Sequence, residues 1–171
     1  LARLRVQQTN SCRFLWQKNN EESFFGASPE RLISLNQNSL LIDALAGTAK
    51  KDDDGKELLA SSKDLREHHF VVNSIVKQLL RNGIKASHQS QPRLMTQGHL
   101  IHLHTLIRAY VKNKSPLGLV ESLHPTPAVA GLPLGKSLSW LRALEPFDRQ
   151  TYASPIGWID KNQNSEFRVA I

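Results

Sequence analysis

The sequence predicts an α+β fold in which antiparallel sheets pack with helices. Three observations carry this expectation. Short extended runs divided by polar turns fill the first 45 residues, a helical period runs over 56–81, and a period-two strand occupies 99–111. Alternation of that kind buries one strand face and exposes the other, as antiparallel sheets allow. With 171 residues, 40% of them hydrophobic, the chain is long enough for one sizeable core.

In order along the chain, residues 2–8 carry Leu4 and Val6 and read as the end of an element too short to type. Residues 12–16 and 23–28 read as strands joined by the polar turn Lys18-Asn19-Asn20-Glu21. Pro29 breaks the second strand, an extended pattern resumes over 31–35, and Asn36-Gln37-Asn38-Ser39 turns into Leu40-Leu41-Ile42. Ala46-Gly47-Thr48-Ala49 is small and turn-like, and 50–54 is a charged loop. Leu58, Leu59, Leu65, Val72, Val76 and Leu79 then recur at helical spacing up to the stop at Gly83, with Ser61-Ser62-Lys63-Asp64 as a place to split the helix in two. On the later strand, Ile101, Leu103, Thr105, Ile107, Ala109 and Val111 share one face, while His102, His104, Arg108 and Tyr110 share the other. A helix is expected over 134–144, and strands over 156–159 and 166–171 flank the turn 160–164.

Composition narrows the function classes. The net charge of +7 points to an anionic partner. The basic residues are scattered, aromatics make up only 6%, and no RNA-binding or helix-turn-helix signature is present, so a small polycarboxylate suits the charge better than nucleic acid. No apolar run approaches a membrane span, and the N-terminal residues do not read as a signal peptide. The lone Cys12 leaves no internal disulfide and fits a reducing compartment. The chain opens without Met and stops within a strand pattern, so it is expected to be a piece of a longer protein.

Five features bear on chemistry. Residues 122–133 hold three prolines, a glycine and mostly small side chains, which suits either a rigid connector or a wall exposing backbone to a small anion. Glu30 follows Phe24-Phe25-Gly26-Ala27-Ser28-Pro29; against an apolar wall its neutral form is favoured, as a general acid needs, whereas in an open turn it is merely solvated. Glu67 shares a helix face with Phe70, Val71 and Ser74, opposite the leucine and valine stripe. That helix is then expected to be sandwiched, with Glu67 at a second buried surface as a ligand for a hard cation, or else paired or solvated. His102 and His104 lie on one side of their strand with His99 turned away and no cysteine nearby, so His102 reads better as a hydrogen-bonding wall residue than as a zinc ligand. Ala46-Gly47-Thr48 offers backbone amides to an anion but lacks a P-loop's lysine and spacing, and on its own reads rather as a plain turn.

Taken in order, these motifs resemble the chorismate-utilising enzymes and, within them, the isochorismate synthases. The matching segments are Phe25-Gly26-Ala27-Ser28-Pro29-Glu30-Arg31-Leu32, Ala44-Leu45-Ala46-Gly47-Thr48-Ala49, and Leu59 to Asp64 running into Arg66-Glu67-His68. They continue through Ile101-His102-Leu103, residues 124–133, Glu145-Pro146-Phe147-Asp148-Arg149, and Tyr152-Ala153-Ser154-Pro155-Ile156-Gly157-Trp158. The resemblance covers nearly the whole chain, which would be a partial chorismate-binding domain over 1–171, central to C-terminal in the family's layout.

The resemblance implies roles residue by residue. Glu30 would be the general acid protonating the departing C4 hydroxyl of chorismate, and Glu67 a Mg²⁺ ligand, with the metal on the substrate's ring carboxylate. Gly47, with Thr48, would contact that carboxylate, and His102 would stand on the site wall. Ala128 and Val129 would line the proline segment, Tyr152 would lie beside the pyruvyl ether, and Ile171 would precede an arginine that binds the pyruvyl carboxylate. Amine-transferring and salicylate-forming relatives carry Thr where Ala128 stands, and aminodeoxychorismate synthases often carry Lys where Ala46 stands. Their absence favours isochorismate formation, serving quinone or siderophore synthesis in the cytoplasm or a plastid stroma, without an obligatory amidotransferase. The family's general-base lysine is expected upstream of Leu1, and its second Mg²⁺ glutamate and carboxylate-binding arginine beyond Ile171, so the 171 residues alone are expected to be inactive. The competing expectations are an anthranilate synthase component I-like enzyme and a basic anion-binding module without catalysis.

Overall fold

The computed structural model describes residues 2–8, 11–51 and 54–171. Its organising element is the long strand β7 (Leu100–Tyr110), paired antiparallel along most of its length with β4 (Ser39–Lys50). Beyond β4 the sheet continues through β3 (Arg31–Asn36), β9 (Ser165–Val169) and β8 (Pro155–Ile159). The short strands β5 (Ala86–Ser87) and β6 (Arg93–Gln97) line the other edge of β7. A separate antiparallel ribbon pairs β1 (Cys12–Gln17) with β2 (Ser23–Ser28). Helices on antiparallel sheets are thus the architecture, as the alternation of the sequence requires.

The helices follow their sequence signals closely. The long helical period divides at Ser61 into α2 (Lys56–Ala60) and α3 (Ser62–Arg81), because the Ser61 hydroxyl accepts the Asp64 N–H at 3.2 Å and starts a new helix. α3 lays His68, Val71, Val72, Ile75 and Leu79 on Leu40, Ile42 and Ala44 of β4 and on β3. α4 (Pro116–Leu123), which the sequence reading did not separate, starts with proline at its first turn and adds Leu119, Val120 and Leu123 to this core. Each such buried side chain removes apolar surface worth about 1.5–3 kcal/mol from water. Among the described residues no helix is long and apolar enough to cross a membrane.

Two local readings are filled in by the structure and two are corrected. The untyped N-terminal stretch is a short helix, α1 (Ala2–Gln7). The turn expected at Ala46-Gly47-Thr48 lies inside β4, which runs through it as a bulge; the charged loop read after it falls partly at residues 52 and 53, outside the described residues. The proline segment contains one helical turn, α5 (Pro127–Ala130): Pro127 opens it, where a missing N–H is harmless, and Gly131 at φ +75° ends it. α3 is not sandwiched. Phe70 is 61% exposed, so the helix is covered on one face only.

Candidate active site

A cavity of about 770 Å³ opens where the β4 bulge, β7, α3 and the proline segment meet. Its sheet wall is formed by Glu30, Gly47, Thr48 and His102. Ala128 and Val129 of α5 face them, and Glu67 of α3, Tyr152 and Ile171 complete the lining. All nine residues singled out from the sequence therefore border one space. Seven stretches of the chain meet there: β4 pairs with β7, α3 packs on both strands, and α5 packs on α3.

Glu30 is the most tightly held of them. It lies between β2 and β3 and is 3% exposed. Its backbone N–H donates to Ser28 Oγ at 3.2 Å, and its carbonyl accepts Val169 N–H at 3.1 Å. Arg168 donates to the neighbouring Pro29 carbonyl at 3.2 Å. The carboxyl accepts one side-chain hydrogen bond, from the Thr126 hydroxyl to Oε1 at 3.2 Å. Burial pushes its pKa up from 4.5 to about 7; the Thr126 bond lowers it in part and the charge of Asp43 raises it further. A carboxyl in that position holds its proton near neutral pH, and with Oε1 occupied by Thr126, Oε2 is the oxygen free to carry it.

The adjoining wall is made by the bulge. Leu45 pairs with His104 and Thr48 with His102, so Ala46 and Gly47 together stand opposite Leu103 alone. Gly47 has φ +81°, a conformation that favours glycine, and a Cβ there would press on Leu103 Cδ1 at 3.1 Å. Thr48 Oγ1 and His102 Nδ1 are hydrogen-bonded at 2.9 Å across the strands. Burial pushes the His102 pKa down and keeps the ring neutral at pH 7. His104, on the same strand face, donates instead to Asp43 Oδ1 at 2.9 Å, with Arg31 Nε 3.8 Å from the other oxygen. The two histidines thus have separate partners.

The opposite rim is more open. Ala128 is exposed, and Tyr152 is 47% exposed. The segment is anchored from behind by Arg149, which donates to the Val129 carbonyl at 2.9 Å and pairs with Glu145 at 2.8 and 3.0 Å. The Glu-Pro-Phe-Asp-Arg motif is therefore a brace for this wall. Glu67 stands at the rim, exposed and 3.6 Å from Lys63 one helical turn back, and not at a second buried surface as expected. Its position follows from the exposed face of α3. It offers a metal one accessible carboxylate, and among the described residues no group of three or more His, Cys, Asp or Glu side chains converges to hold one.

Four residues that shape the site were missed from the sequence. Thr126 bonds Glu30, Asp43 raises its pKa, and His68 and Thr105 lie beneath the bulge. Thr126 had a signal, as the only hydroxyl between the prolines of the loop. Asp43 and Thr105 had none beyond being polar among apolar neighbours on strands.

Comparison with known proteins identifies the family and the fold. The family model described as "Chorismate binding enzyme" matches residues 1–171. The chain is 37% identical to the salicylate biosynthesis isochorismate synthase of Pseudomonas aeruginosa, covering 100% of this chain and 37% of that protein. It superimposes with a TM-score of 0.87, at 31% identity, on MenF, the menaquinone-specific isochorismate synthase from Escherichia coli, over 99% of this chain and 41% of that one. Anthranilate synthase component I from Streptococcus pneumoniae shares the fold, with a TM-score of 0.83 at 19% identity, covering 99% of this chain and 39% of that one. The chain thus spans well under half the length of these relatives, and over that span it belongs to the chorismate binding enzyme family.

Proposed function

We propose that the protein is an isochorismate synthase, in which water adds at C2 of chorismate while the C4 hydroxyl leaves. The observation that carries this reading is Glu30, a carboxyl buried in the cavity wall with a pKa near 7 and one oxygen free to carry a proton. In the reaction Glu30 gives that proton to the C4 hydroxyl, which departs as water, and the ring accepts oxygen at C2 from a second water that loses its proton. The neutral form of Glu30 also spares the anionic substrate a buried negative charge at close range. Gly47 and Thr48 present backbone and hydroxyl to the substrate's ring carboxylate, and neutral His102 holds Thr48 in place. Glu67 would hold Mg²⁺ at the rim; such an ion neutralises carboxylate charge on the substrate.

Ala128 sets the choice of nucleophile. It brings a methyl group and no hydroxyl to the cavity, so that wall offers no side-chain hydrogen bond to an incoming amine. The resemblance to the family assigns the proton acceptor for the attacking water to a lysine, and no lysine lines the cavity among the described residues. The 171 residues alone are therefore expected not to turn over chorismate.

The test is product analysis with the full-length protein, chorismate and Mg²⁺, with and without ammonia. Isochorismate in both cases supports the reading. An aminated product with ammonia replaces it by the anthranilate synthase-like alternative, and neither binding nor turnover of chorismate removes both.

A further inference from the structure

We propose that His68 is a positioning residue of the cavity: bonded at once to Thr105 and to the Ala46 carbonyl, it locks the β4 bulge in the shape that presents Gly47 and Thr48 to substrate. The inference rests on the chorismate reading for the substrate and on geometry for the rest. A bulge takes residues out of the strand ladder, and a buried carbonyl left without a donor destabilises its surroundings. Here the Ala46 carbonyl lies 3.3 Å from His68 Nδ1. A carbonyl only accepts, so Nδ1 carries the hydrogen, and Nε2 then accepts from the Thr105 hydroxyl at 2.7 Å. The Ala46 carbonyl thereby fixes the tautomer, and the Thr105 hydroxyl, which can donate or accept, turns to satisfy Nε2.

His68 is fully buried, and both ring nitrogens are used. On the same face of β7 as Thr105, Leu103 packs against Gly47, so the bulge is held by a hydrogen bond and by contact. Glu67 precedes His68 on α3, and neighbouring residues on a helix point about 100° apart. One turn of α3 therefore sends His68 to the bulge and Glu67 to the cavity rim, which ties the spacing of Glu67 to that of Gly47.

The experiment compares four variants of the full-length protein. Thr105→Val has the same shape without the hydroxyl, and His68→Gln places an amide near Nε2 but away from Ala46. Both are expected to raise the KM for chorismate about tenfold, the scale of one lost hydrogen bond, with kcat within about twofold. Both should also speed amide hydrogen exchange at residues 45–48. Thr105→Ser, and His68→Asn, whose amide mimics the Nδ1 donor, should recover most of the loss in KM and in exchange protection. Unchanged KM and unchanged exchange in folded Thr105→Val and His68→Gln overturn the proposal. If the unaltered protein does not turn over chorismate, the functional reading fails, and exchange at 45–48 alone decides whether His68 locks the bulge. Should His68→Gln not fold, the Thr105→Val and Thr105→Ser pair carries the same decision.

Discussion

Glu30 and Glu67 border the same cavity from opposite surroundings. Glu30 lies in a wall of strands, 3% exposed, with its backbone fixed at both ends and a pKa raised to about 7. Glu67 stands on the uncovered face of a helix, open to water and within ion-pair reach of Lys63. Two identical side chains are thereby prepared for different work. The buried one keeps a proton, and the exposed one offers its carboxylate oxygens at the surface. The difference lies in what covers each residue: Val169, Thr126 and Asp43 close over the first, and nothing among the described residues closes over the second.

The largest expected effect comes from removing the proton donor. Glu30→Gln should lower turnover of the full-length protein about 10²–10⁴-fold in a product assay, while leaving the Mg²⁺ concentration at half-maximal rate unchanged. The same change should alter how stability depends on pH. Because the folded pKa lies above the ordinary 4.5, burial of Glu30 is tolerated at pH 4 and opposed increasingly as pH rises through about 7. Wild type should lose up to about 3 kcal/mol of this contribution between about pH 4 and pH 7.5 in urea titrations, and Glu30→Gln should not. An equal pH dependence in both would show that Glu30 ionises freely in the folded protein.

Glu67→Gln should do the reverse. It is expected to raise the Mg²⁺ requirement at least about tenfold and to leave the pH dependence of turnover in place, since even outer partners of a metal cost that much in affinity. A Mg²⁺ titration identical to wild type would remove Glu67 from metal binding and erase the contrast between the two carboxylates.

Gly47→Ala comes next in size. At φ +81°, with Leu103 3.1 Å away, it should destabilise the protein by about 1–2 kcal/mol, read from the urea midpoint. The smallest effect is expected from Thr126→Val. The Thr126 hydroxyl favours ionised Glu30, so its loss should move the alkaline limb of the pH–rate profile upward. A downward move would show that Thr126 serves the protonated carboxyl instead.

The contrast between the two glutamates also marks how far the sequence could be read. The Ser-Pro-Glu break placed Glu30 at a strand end, and the hydroxyl of Ser61 divided the helix where the charge pattern suggested. Both signals are local, a proline without an N–H and a hydroxyl capping a helix. The bulge was read as a turn because Ala46-Gly47-Thr48 has the composition of either, and only pairing with His102 and His104, more than 50 residues later, distinguishes them. Glu67 was expected against a buried surface because Phe70 and Val71 share its side of the helix. Val71 is buried, but Phe70 instead borders the cavity, in open contact with water.

By itself the sequence determined the α+β class, the strands of the N-terminal ribbon and central sheet, the split helix and the nine residues that border the cavity. The class, strands and split helix follow from periodicity and turn chemistry, whereas the nine residues follow from the resemblance to the chorismate-utilising enzymes. Tertiary structure alone decided which carboxyl is dry, that His68 and Thr105 hold the bulge, and that Thr126 leaves Glu30 one free oxygen. The reason is physical: a pKa and a hydrogen-bond partner depend on groups brought within a few ångströms by folding, here across sequence separations of 22 to 96 residues.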